Sequence, residues 1–142
     1  MSKQGKYFDE LSVGDTAELT FDVTEKAIET FAEVSGDDNP VHLDEDFAKT
    51  TQFGTRIAHG MLSAGYISAL VGTKLPGYGS IYLSQTMRFR RPVKIGDQVT
   101  VRATITALDA DKGRATLETI ALVGGKPVVE GEALVMPPKR GG

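Results

Sequence analysis

The stretch that decides the fold is Arg56-Ile57-Ala58-His59-Gly60-Met61-Leu62-Ser63-Ala64-Gly65-Tyr66-Ile67-Ser68-Ala69-Leu70-Val71-Gly72-Thr73. No Asp, Glu, Lys or Arg occurs between Arg56 and Lys74, and small or apolar residues cover nearly the whole circumference at helical spacing. This pattern predicts a helix from about Gly60 to Gly72 that is buried on all sides. The helix is too rich in small polar residues, and too short, to cross a bilayer, which needs roughly 20 apolar residues.

After this helix the period of the sequence changes to that of strands. Ile81, Leu83, Gln85, Met87 and Phe89 alternate with the residues between them, which predicts that these five side chains point inward. Further strands are predicted near 16–23, 99–105, 115–123 and 128–136, and a short helix from Glu25 with Thr24 as its N-cap. Consecutive strands with short links favour an antiparallel sheet, and one face of it must be covered. We therefore predict an α+β fold, in which a curved antiparallel sheet wraps the long buried helix. One domain is expected over residues 1–136, followed by a flexible C-terminal tail over 137–142.

The composition excludes several classes of function. The chain has 142 residues, enough for one domain, and its net charge of -3 comes without a basic stripe, so nucleic acid is not an expected partner. No cysteine is present, which rules out disulfides and thiolate chemistry. The N-terminal residues show no signal peptide, so we expect a cytoplasmic protein with no membrane association.

The second informative stretch is Ser35-Gly36-Asp37-Asp38-Asn39-Pro40-Val41-His42. Pro40 lacks an N–H and disfavours helical backbone at Asn39, so a turn must hold Asp37 and His42. A carboxylate and a neutral imidazole aimed at one point can activate a water molecule. The alternative is that Asp37 or Asn39 only caps the turn through its own backbone.

Gly60 begins the predicted helix, where the first backbone N–H groups have no partner within the helix. An N–H at this positive end of the helix dipole is well placed to stabilise a carbonyl oxygen that gains negative charge. The alternative is that glycine only lets the chain enter the helix in a tight space.

The two motifs together resemble the signature of the MaoC-like, R-specific enoyl-CoA hydratases. The resemblance rests on Ser35-Gly36-Asp37-x-Asn39-Pro40-x-His42 and on Ala58-His59-Gly60-Met61, and it extends to the stretches 79–85 and 91–97. It covers essentially the whole chain and implies the hot-dog fold, in which a sheet wraps a long helix. It also implies a homodimer whose sheets join edge to edge and an acyl-CoA substrate bound at the subunit interface.

The resemblance implies roles for individual residues in adding water to a trans-2-enoyl-CoA. Asp37 and His42 are the expected catalytic pair, with Asp37 as the principal base and His42 as the partner acid, although the reverse assignment stays open. The Gly60 N–H is the expected donor to the thioester oxygen, and no metal or other cofactor is required. The expected substrate-binding residues are Asn39, which would also orient the pair, and Ser68, His59, Tyr66 and Gln85. His59 has packing or hydrogen bonding at the helix entry as its alternative role.

Other interpretations remain at this point. The same chemistry run in reverse on a carrier-protein thioester would make the chain a 3-hydroxyacyl-ACP dehydratase or a subunit of one. A hot-dog thioesterase is disfavoured because it does not need the Asp-x-Asn-Pro-x-His turn, and a non-catalytic subunit is disfavoured because the Asp/His pair is present. The acidic residues around His42 match neither an EF-hand nor a zinc spacing. Exposed strand charges are favoured over contacts to CoA phosphates for Arg88, Arg90, Arg91 and Lys94.

Overall fold

The computed structural model describes residues 5–141, and in this range the chain forms five strands and four α-helices. The first four residues of the predicted domain, and Gly142 of the predicted tail, lie outside the described residues. The strands are β1 (Thr16–Asp22), β2 (Ile81–Phe89), β3 (Gln98–Asp109), β4 (Arg114–Val123) and β5 (Lys126–Met136). The helices are α1 (Glu25–Ser35), α2 (Pro40–Leu43), α3 (Glu45–Ala48) and α4 (Gly60–Thr73), and a 3-10 turn spans Phe8–Glu10.

The strands form one antiparallel sheet in the order β1-β3-β4-β5-β2. Helix α4 packs on the face that carries the buried residues of β3, among them Val99, Val101, Ala103 and Ile105. This arrangement confirms the predicted α+β fold with a long central helix against an antiparallel sheet. The local signals also hold, since the Thr24 hydroxyl accepts a hydrogen bond from the Ala27 N–H at 3.0 Å and so caps α1.

Helix α4 is buried on most of its circumference but not on all of it, which corrects the prediction of a fully buried helix. Ile67, Leu70 and Val71 are at most 1% exposed, whereas Met61 is 53% exposed. Gly65 and Ser68 are also exposed and lie on the same stripe, four and seven residues after Met61. The stripe carries no charge that would favour contact with water.

Strand β2 departs from the predicted alternation because it contains a bulge. Tyr82 pairs with Val135 and Ser84 with Leu134, so Leu83 is an extra residue in the ladder. The bulge reverses the faces before it: Tyr82 packs against the core, while Ile81 and Leu83 are 51% and 41% exposed. Phe89, at the other end of β2, is 53% exposed, but its ring lies against Gly60 on the same face of the strand as Gln85 and Met87. Of the five residues predicted to point inward, Ile81 and Leu83 therefore do not.

The C-terminal residues, for which we expect a flexible tail, contact the N-terminal part of the domain through residues 138 and 140. The Pro138 carbonyl accepts a hydrogen bond from the Phe8 N–H at 2.9 Å. The Arg140 guanidinium forms two hydrogen bonds with the Asp9 carboxylate, at 3.0 and 3.1 Å, and lies over the ring of Tyr7.

Within residues 5–141, none of the helices has the length and apolar character needed to cross a membrane.

Candidate active site

The loop between α1 and α2 holds Asp37 by a series of local hydrogen bonds. Gly36 ends α1 with φ 80°, the left-handed conformation that glycine adopts without strain, and so turns the chain away from the helix. The Asp37 carboxylate accepts the N–H of Asn39 at 3.3 Å, and the Asn39 side chain accepts the N–H of Val41 at 3.2 Å. Asn39 therefore orients Asp37 through its backbone and caps α2 through its side chain. The capping interpretation and the catalytic interpretation of this turn are compatible.

Helix α2 carries His42, whose ring orientation is set by a backbone carbonyl. His42 Nδ1 lies 2.8 Å from the carbonyl oxygen of Ile57. Because a carbonyl oxygen can only accept, the proton is on Nδ1 and the lone pair is on Nε2. No hydrogen-bond partner is found for Nε2 within residues 5–141. Burial lowers the pKa of His42, which is 8% exposed, and favours the neutral ring.

His59 lies beside the pair and is almost fully buried, at 2% exposure. Its ring stacks on that of His42 with centroids 3.8 Å apart, and its Nε2 lies 2.9 Å from the carbonyl oxygen of Asp37. A carboxylate oxygen of Asp37 and one ring nitrogen each of His42 and His59 lie within 4.8 Å of one another. The structure thus brings Asp37, Asn39, His42 and His59 together, as the sequence motifs predict.

Gly60 follows His59 and begins α4. The N-cap residue His59 makes no side-chain capping bond, and the Gly60 N–H has no hydrogen-bond partner within the described range. A Cβ built on Gly60 would lie 2.6 Å from Cε1 of Phe89, so the Phe89 ring rests against the glycine. A free N–H at the start of an apolar helix is the geometry that an oxyanion donor needs.

An apolar cavity of about 440 Å³ opens beside Gly60. Backbone bonding holds its wall in place, since the Ala58 N–H donates to the Val93 carbonyl at 2.6 Å and Ile57 forms a β-bridge with Lys94. Ile57 lines the cavity, and its carbonyl is the acceptor for His42 Nδ1. The lining residues are Phe53, Ile57, Ala58, Gly60, Met61, Ser63, Phe89, Arg90, Arg91, Pro92, Val93 and Val129.

A polar frame outside the cavity fixes the position of α2. Arg56 Nε donates to the carbonyl of His42 at 2.7 Å, and Arg56 Nη1 forms an ion pair with Glu25 at 2.8 Å. The Glu45 carboxylate accepts the N–H of Arg56 at 2.8 Å and the hydroxyl of Thr55. These two bonds, the backbone one first, lower the pKa of Glu45. The chain on both sides of His42 is therefore tied to the segment that leads into α4.

Three of the predicted substrate-binding residues lie elsewhere. Ser68 is on the exposed stripe of α4, and the Tyr66 ring stacks flat on Phe21 of β1, with centroids 4.1 Å apart and an interplanar angle of 5°. The Gln85 amide is occupied inside the sheet: it accepts from the Tyr82 hydroxyl and donates to Thr119 Oγ1 at 2.9 Å. None of the three lines the cavity beside Gly60.

Sequence reasoning missed two residues of the cavity wall. Ser63 is 2% exposed and one turn after Gly60, so its hydroxyl is the small polar group that α4 presents to the cavity. The signal for Ser63 was its spacing of three residues from Gly60. Phe89 was predicted to point inward, and no sequence pattern indicated that its ring would cover Gly60.

The Asp37, His42 and His59 group has the residue types of a metal site, but its donor geometry does not fit one. A nitrogen lone pair lies in the plane of its ring, so two stacked imidazoles direct their lone pairs side by side and not toward one point. His42 Nδ1 and His59 Nε2 are also taken by backbone carbonyls.

The fold is that of the hot-dog class of enzymes, and the site brings together a carboxylate, two imidazoles and a helix N-terminal amide. Residues 12–127 match the family model described as MaoC like domain, and the chain belongs to this family.

Relatives of known name agree with this assignment. The chain is 52% identical over 135 residues to an (R)-specific enoyl-CoA hydratase of Rhodospirillum rubrum, covering 95% of this chain and 94% of that protein. It is 49% identical over 134 residues to a 3-hydroxybutyryl-CoA dehydratase of Methylorubrum extorquens, covering 94% and 85%. The unliganded R-hydratase of Pseudomonas aeruginosa superposes with a TM-score of 0.92 at 49% identity, covering 96% and 88%. These relatives confirm the predicted family and the predicted fold.

Proposed function

We propose that this chain adds water to trans-2-enoyl-CoA to give (R)-3-hydroxyacyl-CoA, with His42 as the group that takes and returns the proton. The chain is a hydro-lyase, in agreement with the hydratase and dehydratase names of its relatives, which describe the two directions of one reaction. The roles of the individual residues are our assignment.

The observation that carries this assignment is the proximity of Asp37 and His42. A carboxylate oxygen of Asp37 and a ring nitrogen of His42 lie no more than 4.8 Å apart. Groups this close can share one water molecule, because two hydrogen bonds of normal length at a tetrahedral angle reach across roughly 4.6 Å. The Asp37 carboxylate is an acceptor, and so is Nε2 of His42, the nitrogen that the Ile57 carbonyl leaves free. A water held with both hydrogens engaged turns an oxygen lone pair toward the substrate.

The reaction then balances with these groups alone. The water oxygen attacks C3 of the enoyl thioester while one of its protons passes to Nε2 of His42. The C2–C3 π electrons shift to the thioester oxygen, whose negative charge the Gly60 N–H stabilises. The His42 imidazolium returns a proton to C2 and the thioester carbonyl re-forms. Asp37 orients the water and stabilises the imidazolium, which reverses the roles favoured from the sequence, and no cofactor takes part.

The exposed stripe of α4 and the free edge of the sheet support a homodimer. Strand β2 is an edge strand of nine residues, and its Ile81 and Leu83 side chains are exposed. An unpaired edge with apolar side chains favours pairing with another strand, and a second copy supplies the same strand. We propose that two copies pair through β2 and that the exposed stripe of α4, which includes Ser68, is covered in the dimer.

Sedimentation of Leu83→Lys tests the proposed dimer: we expect dimers for the wild type and monomers for the variant. A monomeric wild type contradicts it.

The function is tested with crotonyl-CoA and purified protein. We expect the absorbance of the conjugated enoyl thioester to fall and chiral analysis to find (R)-3-hydroxybutyryl-CoA, without release of free thiol. Release of thiol would indicate a thioesterase. Unchanged absorbance with crotonyl-CoA and with longer enoyl-CoA esters contradicts the proposed function.

A further inference from the structure

His59 occupies the N-cap position of α4 without capping it. Ser, Thr, Asp or Asn at this position would accept a hydrogen bond from an N–H of the first turn. The His59 side chain is instead turned away from the helix, toward the carbonyl of Asp37. Among the first-turn N–H groups, that of Leu62 donates to the His59 carbonyl at 3.1 Å, whereas those of Gly60 and Met61 have no partner within residues 5–141.

The hydrogen bonding of His59 is incomplete. Nε2 faces a carbonyl oxygen, which can only accept, so Nε2 carries a proton. Nδ1 is buried and has no hydrogen-bond partner within residues 5–141. An orphaned buried nitrogen beside the catalytic pair requires an explanation other than packing, because an apolar ring would avoid it.

The burial of the ring leaves it little surface for contact with the substrate. His59 is 2% exposed, compared with 8% for His42, and the cavity beside Gly60 is lined by neither of them nor by Asp37. One of its faces lies on His42 at 3.8 Å, and Phe31 of α1 packs at 4.7 Å with a tilt of 53°. The His59 ring thus contacts the His42 imidazole and the Asp37 backbone, and His59 directly precedes Gly60 in the chain.

We propose that His59 is a positioning residue, which fixes the Asp37 main chain by its Nε2–H and shields one face of the His42 ring from water. The proposal rests on the proposed function, since it gives His59 a role in the same reaction. The donor sets where Asp37 lies, and the stacked ring keeps His42 in a desolvated, neutral state. The two contributions can be separated by substitution.

The groups that act on His42 are few. Burial disfavours the charged imidazole, whereas the Ile57 carbonyl and Asp37, on the loop after α1, favour it. Arg56 donates through Nε to the His42 carbonyl at 2.7 Å. Loss of the His59 ring therefore changes the surroundings of His42 in one direction, toward more solvent and a higher pKa.

Two variants separate the donor from the ring. His59→Phe keeps an aromatic ring on His42 but removes the donor to Asp37, and His59→Gln keeps an N–H donor but removes the stacked ring. Ile105→Val, which removes a buried methyl group on β3, is the control for lost packing alone. For each protein, kcat and KM for crotonyl-CoA are measured across pH, together with the melting temperature. The chain has only two histidines, so the NMR titration of His42 can be followed in each variant.

We expect His59→Phe to lower kcat by about 10- to 100-fold, because Asp37 is misplaced, with KM little changed and the acidic limb of kcat/KM in place. We expect His59→Gln to move that limb, and the NMR pKa of His42, to higher pH. Ile105→Val should lower the melting temperature and change neither kcat nor the limb.

Folded variants with wild-type kcat and wild-type pH profiles overturn the proposal. So does a loss of activity that follows only the loss of melting temperature, as in the control. If the wild type does not hydrate enoyl-CoA, the proposed function fails, and the NMR titration still decides about His59. An unchanged His42 pKa in His59→Gln would then overturn the inference on its own.

Discussion

Two polar clusters lie inside this domain, and they differ in whether their hydrogen bonds are complete. Around Gln85 the amide accepts from Tyr82 and donates to Thr119 and to the Thr86 carbonyl, so each buried polar group has a partner. Around His42, by contrast, Nε2 of His42, Nδ1 of His59 and the N–H of Gly60 have no partner within the described residues. We call the cluster around Gln85 the complete cluster and the one around His42 the open cluster. Completed hydrogen bonds stabilise the sheet, and unpaired groups remain available for a reaction.

The largest expected effect comes from removing the open acceptors. Asp37→Asn and His42→Ala should each lower kcat by about 10²- to 10⁴-fold, because each removes a group that handles the proton or the water. The steady-state rate with crotonyl-CoA measures this, and circular dichroism confirms the fold. Asp38→Asn is the matched control, since it removes the neighbouring exposed carboxylate, and it should keep wild-type turnover. Near wild-type turnover in folded Asp37→Asn would show that the open cluster is not the site.

The next effect concerns the open donor at Gly60. His59 has φ -59° and ψ 135°, a backbone conformation that accepts a following proline, and proline is tolerated at the first position of a helix. Gly60→Pro therefore removes the N–H with little backbone strain, although its Cβ meets Phe89. Gly60→Ala adds the same Cβ and keeps the N–H.

We expect kcat of Gly60→Pro to lie about 10²- to 10³-fold below that of Gly60→Ala, since loss of one oxyanion donor has this effect. Turnover measured on both variants isolates the N–H from the contact with Phe89. Equal rates in the two variants would remove Gly60 from the mechanism.

In the complete cluster, a substitution should affect stability and not catalysis. Gln85→Leu leaves the Tyr82 hydroxyl and Thr119 Oγ1 without their partner, and we expect the free energy of unfolding to fall by about 1–3 kcal/mol. Urea denaturation measures the loss, and turnover should stay close to that of the wild type. A raised KM with unchanged stability would instead restore Gln85 as a substrate-binding residue.

The smallest effect is a difference in pH response. Burial lowers the pKa of His42 from its ordinary value of 6.5, so the neutral imidazole persists to lower pH and the acidic limb of kcat/KM should lie below 6.5. Because of this shift, the unfolded chain binds the proton more readily than the folded chain does. The free energy of unfolding should therefore fall as the pH decreases from 6.5 toward the lowered pKa. In the complete cluster burial raises the pKa of Tyr82 to about 12, so Gln85→Leu should leave the acidic limb in place. A limb at or above 6.5 in the wild type would show that His42 is not held neutral by burial.

The sequence predicts the open cluster better than its surroundings, for a physical reason. Asp37, Asn39 and His42 are close along the chain, and the constraint that Pro40 places on the backbone is local, so the turn could be predicted from residue types. The strands and the central helix follow from periodicity for the same reason.

Features that depend on contacts between distant segments could not be predicted. The bulge at Leu83 depends on the register of β2 with β5, and it reversed the predicted faces of Ile81 and Leu83. The exposure of Ser68 and the position of Ser63 in the cavity wall depend on which side of α4 meets the sheet. The nearly uniform apolar character of this helix does not encode that side.

The coverage of the His42 ring has a stereochemical consequence. His59 occupies one face of the imidazole, and Nδ1 is held by the Ile57 carbonyl, so Nε2 is the single nitrogen through which a proton enters or leaves. One nitrogen that both removes and delivers the proton serves one face of the flat enoyl group, so the new hydrogen and the hydroxyl join the same side. In deuterium oxide, hydration should therefore label C2 with one deuteron, syn to the oxygen, and give a single diastereomer.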